Sequence, residues 1–597
     1  MTDMISTMPV EVLRMIAEKV MNDIRDLKSL TEVSRTVRSA VLVLFWHAIE
    51  ISPRSEFYLH ELPIVGLLHA PLCYTKHLSF QSSFHDHTFV RCPHASLEDN
   101  EHEEFIHLAL AAEIIMGRDS LDHLQSFSWN MGTCVPQSIL GPRGIISLWH
   151  SSLQSLSLTT SYDCTGHDNC AFSRHRKSAI DLGTLRELRS FCWKAPRGED
   201  LDTLSLAIRN NRRHLSSLEL DFVDWEGLKL RRTRGFDMVS NGEMRGGSCM
   251  FSNKILRLTS VPDAPWFGQL QALSLSGVPV GADLAGAIDF RKIRSLSLRK
   301  CLGWHLLLAR IMDEKTEVRL QTLEIQDRPH EPSILARKQA LARFLDSFRG
   351  LERLFVSLVG PPSSHEIDFW AHVVGHRETL RRYVQHERIY KGINGPSWPC
   401  EFDSSRVGLS KRDILQIRND PSSSSLGSLR PECLGLACIP EHWKPIVSPF
   451  IAESCLKLLH IRQSAQDVRY RPWWAWERIA EPVDQHFRGT AIDFSLNFTE
   501  DIQSEYHLRK RWRHCSQLLD FVTWAFGPHG LGSLQFVVFG DFAHGGRETE
   551  SQICFCRDEK IGAFVEINRH DARWRQMVRD YRDVLEACPS ETLLYAT

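Results

Sequence analysis

One apolar motif recurs along most of this 597-residue chain and limits the folds that the chain can adopt. The motif has the spacing Leu-x-x-Leu-x-Leu, with other large apolar residues at some positions. Its last two apolar residues are two positions apart, so both point to one face of a short β-strand. A single strand cannot bury such a face, but parallel strands stacked side by side can. Eight well-formed copies have the triplets Leu124, Phe127 and Trp129; Leu153, Leu156 and Leu158; Leu188, Phe191 and Trp193; Leu215, Leu218 and Leu220; Leu270, Leu273 and Leu275; Ile293, Leu296 and Leu298; Leu320, Leu323 and Ile325; and Leu351, Leu354 and Val356.

The spacing between copies indicates a repeat architecture. Successive copies start 29, 35, 27, 55, 23, 27 and 31 residues apart, mostly near or just above the upper end of the range of roughly 20 to 29 residues for leucine-rich repeats. The intervals carry helical patterns, as in residues 338–348. The sequence therefore predicts an α/β fold, an irregular leucine-rich-repeat solenoid with a curved parallel sheet and helices outside. Three weaker copies contain Leu380 and Tyr383; Leu456, Leu459 and Ile461; and Leu531, Leu534 and Phe536.

The turn after each predicted strand departs from a regular repeat. Regular repeats of this kind have Asn or Cys eight residues after the first Leu, where the side chain holds the turn. Among the eight copies only the sixth has such a residue, Cys301. We therefore expect repeats of unequal length, with one long surface insertion around residues 229–265.

Side chains between and after the strand leucines point away from the helices, to the concave face of the predicted arc. The concave surface of a solenoid is a usual binding surface. The side chains there are short and mixed in charge, so they identify no ligand, and a solvated surface without a partner is the alternative. The residues that we predict to bind a target protein are Glu219, Asp221, Ser297, Arg299, Glu324 and Gln326.

Residues 8–46 form a second apolar pattern. Leu13, Ile16 and Val20 lie at helical spacing, and Pro9 suits the first turn of a helix. Apolar residues continue at helical spacing through residues 27–46. Three short helices of this length bury too little surface to be stable alone, so a further surface must cover them.

This segment resembles the F-box, and the chain resembles F-box proteins of the fungal leucine-rich-repeat type. Met8 stands where the family pattern has Leu, which is a volume-conserving exchange. The resemblance implies that the segment binds the Skp-type adaptor of a cullin–RING ubiquitin ligase. A three-helix cap packed on the next domain is the alternative. The matching positions are Met8-Pro9, Glu11, Leu13, Ile16, Val33-Ser34-Arg35, Arg38 and Trp46. The implied adaptor-binding residues are Met8, Pro9, Leu13, Ile16, Val20, Leu30, Val33, Val37 and Trp46.

These patterns divide the chain into an F-box in residues 1–50, a degenerate solenoid in residues 51–545 and an end piece in residues 546–597. The end piece is predicted to be a hairpin followed by a helix capped by Asp571, which covers the last open face of the solenoid. The resemblance implies a substrate-recognition subunit of an SCF-type ligase, with an unknown protein as its target. A non-degradative interaction scaffold is the alternative.

Composition and motifs argue against other classes of protein. The 71 basic and 73 acidic side chains give a net charge of −2, so no basic surface for nucleic acid is expected. The sequence has no run of roughly eighteen apolar residues, so it predicts no membrane span. Sixteen cysteines without a secretion signal favour reduced thiols in the cytoplasm, the nucleus or both. No phosphate-binding loop or nucleophile elbow is present, so we expect no enzyme activity, catalytic residue, cofactor or metal.

Two clusters leave alternatives open. Cys164, His167, Cys170 and His175 could supply zinc ligands from one loop, which makes a metal-dependent enzyme a rival function. A polar loop between repeats explains the same residues. The three Trp residues of 473–476 could anchor a partner peptide, or they could fill the core between irregular repeats.

Overall fold

The structure is a computed structural model, and it describes most of the repeat region. The described residues are 8–20, 24–51, 71–82, 110–117, 121, 123–161, 180–223, 225, 251–258, 265–328, 334–359, 369–389, 404–406, 417–420, 424–437, 440–452, 455–462, 516–543, 552–558, 562–589 and 593–594.

In the described residues, seventeen strands form one sheet. Their bounds are β1 (Ala48–Ile51), β2 (His77–Gln81), β3 (Ser126–Asn130), β4 (Ser155–Thr159), β5 (Ser190–Lys194), β6 (Ser217–Asp221), β7 (Ala272–Ser276), β8 (Ser295–Arg299), β9 (Thr322–Gln326), β10 (Arg353–Val359), β11 (Arg382–Ile389), β12 (Ser404–Arg406), β13 (Cys433–Leu436), β14 (Leu458–Arg462), β15 (Phe536–Gly540), β16 (Ile553–Asp558) and β17 (Ala563–Ile567).

The strands pair in chain order. Each strand from β1 to β11 is parallel to the next, and β13, β14 and β15 continue the parallel series from β11. β12 lies antiparallel on β11, and β15, β16 and β17 pair antiparallel. Among the described strands β1 pairs with β2 alone and β17 with β16 alone, so the sheet is open. The α/β class and the mostly parallel sheet are as predicted.

Helices cover one face of this sheet. Their apolar side chains join the strand leucines in one continuous core. The α-helices are α1 (Val10–Val20), α2 (Ile24–Val33), α3 (Arg35–Phe45), α4 (Gln137–Leu140), α5 (Ile145–Trp149), α6 (Leu201–Asn211), α7 (Asp283–Ala287), α8 (Trp304–Asp313), α9 (Ile334–Asp346), α10 (Phe369–Val373), α11 (Pro440–Val447), α12 (Ser516–Phe526), α13 (Ala572–Asp580) and α14 (Arg582–Leu585). Residues 110–116 are also helical, and short 3-10 or π turns lie at Leu72–Tyr74, Gly198–Asp200, Phe251–Ile255, Val374–His376, Leu426–Ser428 and Ser448–Ile451.

The eight well-formed triplets lie in or just before β3 to β10. In β4, Leu156 and Leu158 are fully buried on the helix side, whereas Ser155 and Ser157 point to the other face and are half-buried. The register places each leucine beside its counterpart in the next strand, so the buried residues form continuous rows across the sheet. The motif thus corresponds to the strand and its core-facing side chains.

The sequence predicts the core-facing residues of the weaker copies less accurately. Strands β1, β2, β12 and β13 were not predicted. In β15, Phe536 is opposite Leu458 and lies on the face away from the helices, while Val537 and Phe539 enter the core. The prediction for Phe536 is therefore wrong, and the correct triplet is Leu534, Val537 and Phe539. The error arises because this segment is apolar on both faces, so either alternation fits the pattern.

Different polar side chains hold the turns after the strands. Cys301 donates from Sγ to a main-chain carbonyl of β7 at 3.2 Å. The Asp327 carboxylate accepts from Trp304 Nε1 at 2.8 Å, from the Arg337 guanidinium at 3.2 Å and from the Val359 N–H at 3.2 Å. One repeat thus uses a thiol and the next a buried ion pair, which explains why a single consensus residue is missing.

The first three helices have a small core of their own. Ser34 caps α3 by accepting the Val37 N–H at 3.2 Å. Strand β1 already begins at Ala48 and pairs with β2, so the sheet starts inside the range that was predicted for the N-terminal segment. The buried members of the small core are Leu13, Ala17, Leu27, Val37, Ala40 and Val41.

The end of the chain folds back onto the sheet. The predicted hairpin is present as β16 and β17, and Asp571 caps α13 by accepting the Arg573 N–H at 2.8 Å. The following residues, however, pack on the face opposite the helices, against apolar side chains of β10 to β16. They lie over strands in the middle of the sheet. We call this face of the sheet the tail face and residues 582–589 the tail segment.

Candidate interaction sites

The N-terminal helices expose a row of apolar side chains. Val12, Met15 and Ile16 of α1 are 39%, 64% and 47% exposed. They lie at helical spacing on the side of α1 next to its buried side, which carries Leu13. We call these three residues the N-terminal apolar stripe. Val33, at the end of α2, is a further large apolar residue with 53% exposure.

The predicted adaptor-binding residues therefore divide into three groups. Leu13 and Val37 are buried in the three-helix core, with Met8 and Leu30 packed at its edge. Trp46 is instead packed against the core of the repeats. The exposed residues of the set are Pro9, Ile16 and Val33, and the side chain of Val20 lies outside the described residues.

Two residues of the stripe, Val12 and Met15, are missing from the predicted set. Their signal is present in the sequence, because Val12 and Ile16 are four positions apart and Met15 lies between them. A helix with two adjacent apolar rows has more apolar surface than its own small core needs. The first row closes the three-helix core, and the second faces outward.

The residues predicted to bind a target form two rows on the tail face. One row runs from Glu219 through Ser274 and Ser297 to Glu324. The neighbouring row contains Asp221, Ser276, Arg299 and Gln326 at matching positions of the same four strands. The structure thus brings the six predicted residues together on β6, β8 and β9.

The β8–β9 part of these rows is buried. Arg299 donates to the Glu324 carboxylate from Nε at 2.8 Å and from Nη2 at 2.9 Å, and Ser297 donates to the same carboxylate at 2.8 Å. Burial opposes ionisation of Glu324, but the Arg299 charge and these hydrogen bonds outweigh it and lower the pKa of the carboxyl. Glu324 is 5% exposed and Gln326 is 2% exposed. They have little surface for a new partner while the tail segment is in place.

The β5–β6 part of the tail face is more open. Lys194 Nζ lies 2.9 Å from Glu219 Oε1, and both side chains are about one third exposed. Burial opposes ionisation of Glu219, but the Lys194 ammonium outweighs this effect and lowers the pKa of the carboxyl. Burial also raises the pKa of the neighbouring Cys192 to about 12, which favours the neutral thiol. The arrangement offers a paired surface charge.

The tail segment covers the tail face from β9 to β14. Asp583 pairs with Arg382 of β11, and its second oxygen lies 3.5 Å from Arg353 of β10. Val584, Leu585, Ala587 and Cys588 enter the apolar cluster on this face. Further along, Leu593 and Leu594 pack against Ala195 after β5. Leu593 and Leu594 therefore lie beside the ends of β5 and β6.

Three side chains bind the main chain of the tail segment. Arg462 of β14 donates to the carbonyls of Val584, Ala587 and Cys588, at 3.3, 2.5 and 3.3 Å. Glu324 of β9 accepts the Cys588 N–H at 2.7 Å. Gln326 donates from Nε2 to the Pro589 carbonyl at 2.6 Å.

Arg462 is not among the residues predicted from the sequence to bind a partner. In the repeat of Leu456, Leu459 and Ile461, it follows the last apolar position just as Gln326 follows Ile325. The pattern that indicates Gln326 therefore also indicates Arg462, although the copy that contains Arg462 is one of the weaker ones.

The other candidate sites lie outside the described residues. This holds for the Cys164–His175 set and for the Trp residues of 473–476. Within the described ranges, no three His, Cys, Asp or Glu side chains gather as a metal site requires. In the same ranges, none of the helices has both the length and the apolar character needed to cross a bilayer. Models of known protein families give no match to the sequence, and curated proteins give none either.

Proposed function

We propose that this chain is the substrate-recognition subunit of an SCF-type cullin–RING ubiquitin ligase. The observation that carries the proposal is the N-terminal apolar stripe. Three short helices complete a core of their own, yet large apolar side chains still point outward. Clustered apolar side chains on a surface mark sites of protein association. The resemblance of residues 8–46 to the F-box supports a Skp-type adaptor as the partner.

The chain would act by bringing two proteins together. Its N-terminal helices would bind the adaptor, and the tail face of the repeats would bind a target protein. Ubiquitin transfer then gains its rate from the raised effective concentration of the target near the charged ligase. No residue of this chain needs to take part in bond making.

We place this activity in the cytoplasm or the nucleus. In the described part of the chain, six cysteines are free thiols, which is the state expected in a reducing compartment: Cys73, Cys192, Cys433, Cys554, Cys556 and Cys588.

Capture of the adaptor tests the proposal directly. The full chain is co-expressed with a Skp-type adaptor and purified through a tag on the chain. We expect a one-to-one complex, and we expect none for a chain that lacks residues 1–45. This truncation keeps Trp46 and β1, so the core of the repeats remains intact, which circular dichroism can verify. Equal capture by both chains would contradict the proposal.

A non-degradative scaffold is the second candidate function. It is favoured by the burial of Glu324 and Gln326, because no target can reach these residues while the tail segment covers them. The half-life of captured partner proteins separates the two functions. If the chain is a receptor, deletion of residues 1–45 lengthens the half-life of its partners. If it is a scaffold, the same deletion leaves that half-life unchanged.

A further inference from the structure

We propose that the tail face between β9 and β14 is a polypeptide-binding site and that the tail segment fills it as an internal, displaceable ligand. The inference deepens the proposed function, since it assigns the target site of the receptor and the way in which that site is kept closed. The ligand class is a short helix that ends in a proline-containing turn.

The first support is the kind of contact that the tail segment makes. Arg462, Glu324 and Gln326 all bind main-chain atoms of the segment. Main-chain groups are common to all polypeptides, so these three side chains would bind another segment of the same backbone shape equally well. A guanidinium at the carbonyl end of a helix is favourable because unpaired carbonyls and the helix dipole both attract positive charge.

The second support is the origin of the groups that form the site. Glu324 and Gln326 lie on β9, Arg353 on β10, Arg382 on β11 and Arg462 on β14. These strands are neighbours through their register, and each residue occupies a position that points to the tail face. The site is therefore built by the sheet, and the tail segment is a separate piece of chain laid across it.

The third support is the conformation of the tail segment. Cys588 has φ 47°, in the left-handed region that residues other than Gly rarely adopt. Its N–H is bound by Glu324, and its carbonyl is bound by Arg462. The contacts with the sheet thus hold a strained turn, and release of the segment relieves that strain.

The ion pairs of Asp583 are the part of the closure that one substitution can open. Asp583→Arg removes its pairs with Arg382 and Arg353 and places a third positive charge beside them. The site itself remains unchanged in this variant, because Asp583 belongs to the ligand. A peptide of the natural sequence should then replace the displaced segment.

The test is binding of a fluorescent peptide of residues 578–589, with its carboxyl end amidated, to the full chain. We expect weak binding to the wild-type chain and binding at least about tenfold tighter to Asp583→Arg. Glu314→Arg is the matched control, since it reverses one charge of an ion pair with Arg310 at the end of α8, a helix on the face of the sheet opposite the tail segment. The double variant Asp583→Arg with Arg462→Met should lose the gain.

Equal peptide binding by wild type and Asp583→Arg would overturn the proposal, and so would undiminished binding by the double variant. Hydrogen exchange of the wild-type chain provides a second readout that needs no variant. The Cys588 amide should exchange well before the Ile325 amide of β9, because the segment leaves before the sheet opens. Simultaneous exchange of both amides would show that the segment is a fixed part of the core. Adaptor capture is measured separately, so failure here is distinguishable from failure of the proposed function.

Discussion

Glutamate at Met15 and Ile16 would place two charges in the N-terminal apolar stripe. These side chains are 64% and 47% exposed, so about half of their surface is still available for burial against a partner. Full burial of such a side chain is worth roughly 1.5–3 kcal/mol. The two together therefore contribute about 2–3 kcal/mol to adaptor binding, which is roughly a 30- to 150-fold change in Kd. Desolvation of the new carboxylates adds to the loss.

The assay is calorimetric titration of a purified Skp-type adaptor into the full chain. The stability of the chain itself should change by no more than about 0.5 kcal/mol, because both side chains point to solvent. Leu148→Glu is the matched control, since Leu148 on α5 is 60% exposed and lies outside the first three helices. An adaptor Kd for Met15→Glu with Ile16→Glu within threefold of the wild-type Kd would refute the assignment of this stripe.

Two further predictions concern the stability of the repeats. Arg337→Met leaves the buried Asp327 carboxylate without its counter-charge and should lower the free energy of unfolding, measured in urea, by about 3–5 kcal/mol. Adding Asp327→Asn to the same chain should recover part of this loss. An absence of recovery would contradict the ion-pair explanation. Burial, together with the nearby Arg462 charge, lowers the pKa of His460 to about 3, so the unfolded chain takes up a proton near pH 6.5 and the folded chain does not. Stability should therefore fall as the pH falls below 6.5, by up to about 2 kcal/mol from this residue by pH 5. In His460→Gln this part of the pH dependence should vanish from the urea midpoints, and an unchanged slope would refute it.

The strands of the repeats could be predicted because their signal is local. Alternation of apolar and polar residues in β3 to β10 shows which side chains face the core, and stacking such strands is the one way to bury them. The signal fails where both faces are apolar, as at Phe536, because the tail segment buries the second face as well. It also fails at Gln385, where a polar side chain takes the place of a core leucine by accepting from Tyr383 and Trp370.

The candidate sites likewise have features that the sequence predicts and features that it does not. The sequence by itself determined that α1 has more apolar side chains than the three-helix core can bury. The buried row with Leu13 and the N-terminal apolar stripe can both be read from helical spacing. The sequence also placed Glu219, Arg299, Glu324 and Gln326 on one face of the sheet, because alternate residues of a strand point to the same side.

Only the tertiary structure decided which of these residues are open. Gln326 and Pro589 are 263 positions apart and are joined by one hydrogen bond to a main-chain carbonyl. Such a contact leaves no pattern in the sequence, because every residue of the chain has that carbonyl. The course of the tail segment is set by apolar burial, by the pairs of Asp583 with Arg353 and Arg382, and by the hydrogen bonds of Arg462 to main-chain carbonyls. Together these contacts outweigh the strain of the turn at Cys588. These forces act across the whole fold, so they appear only once the repeats have stacked.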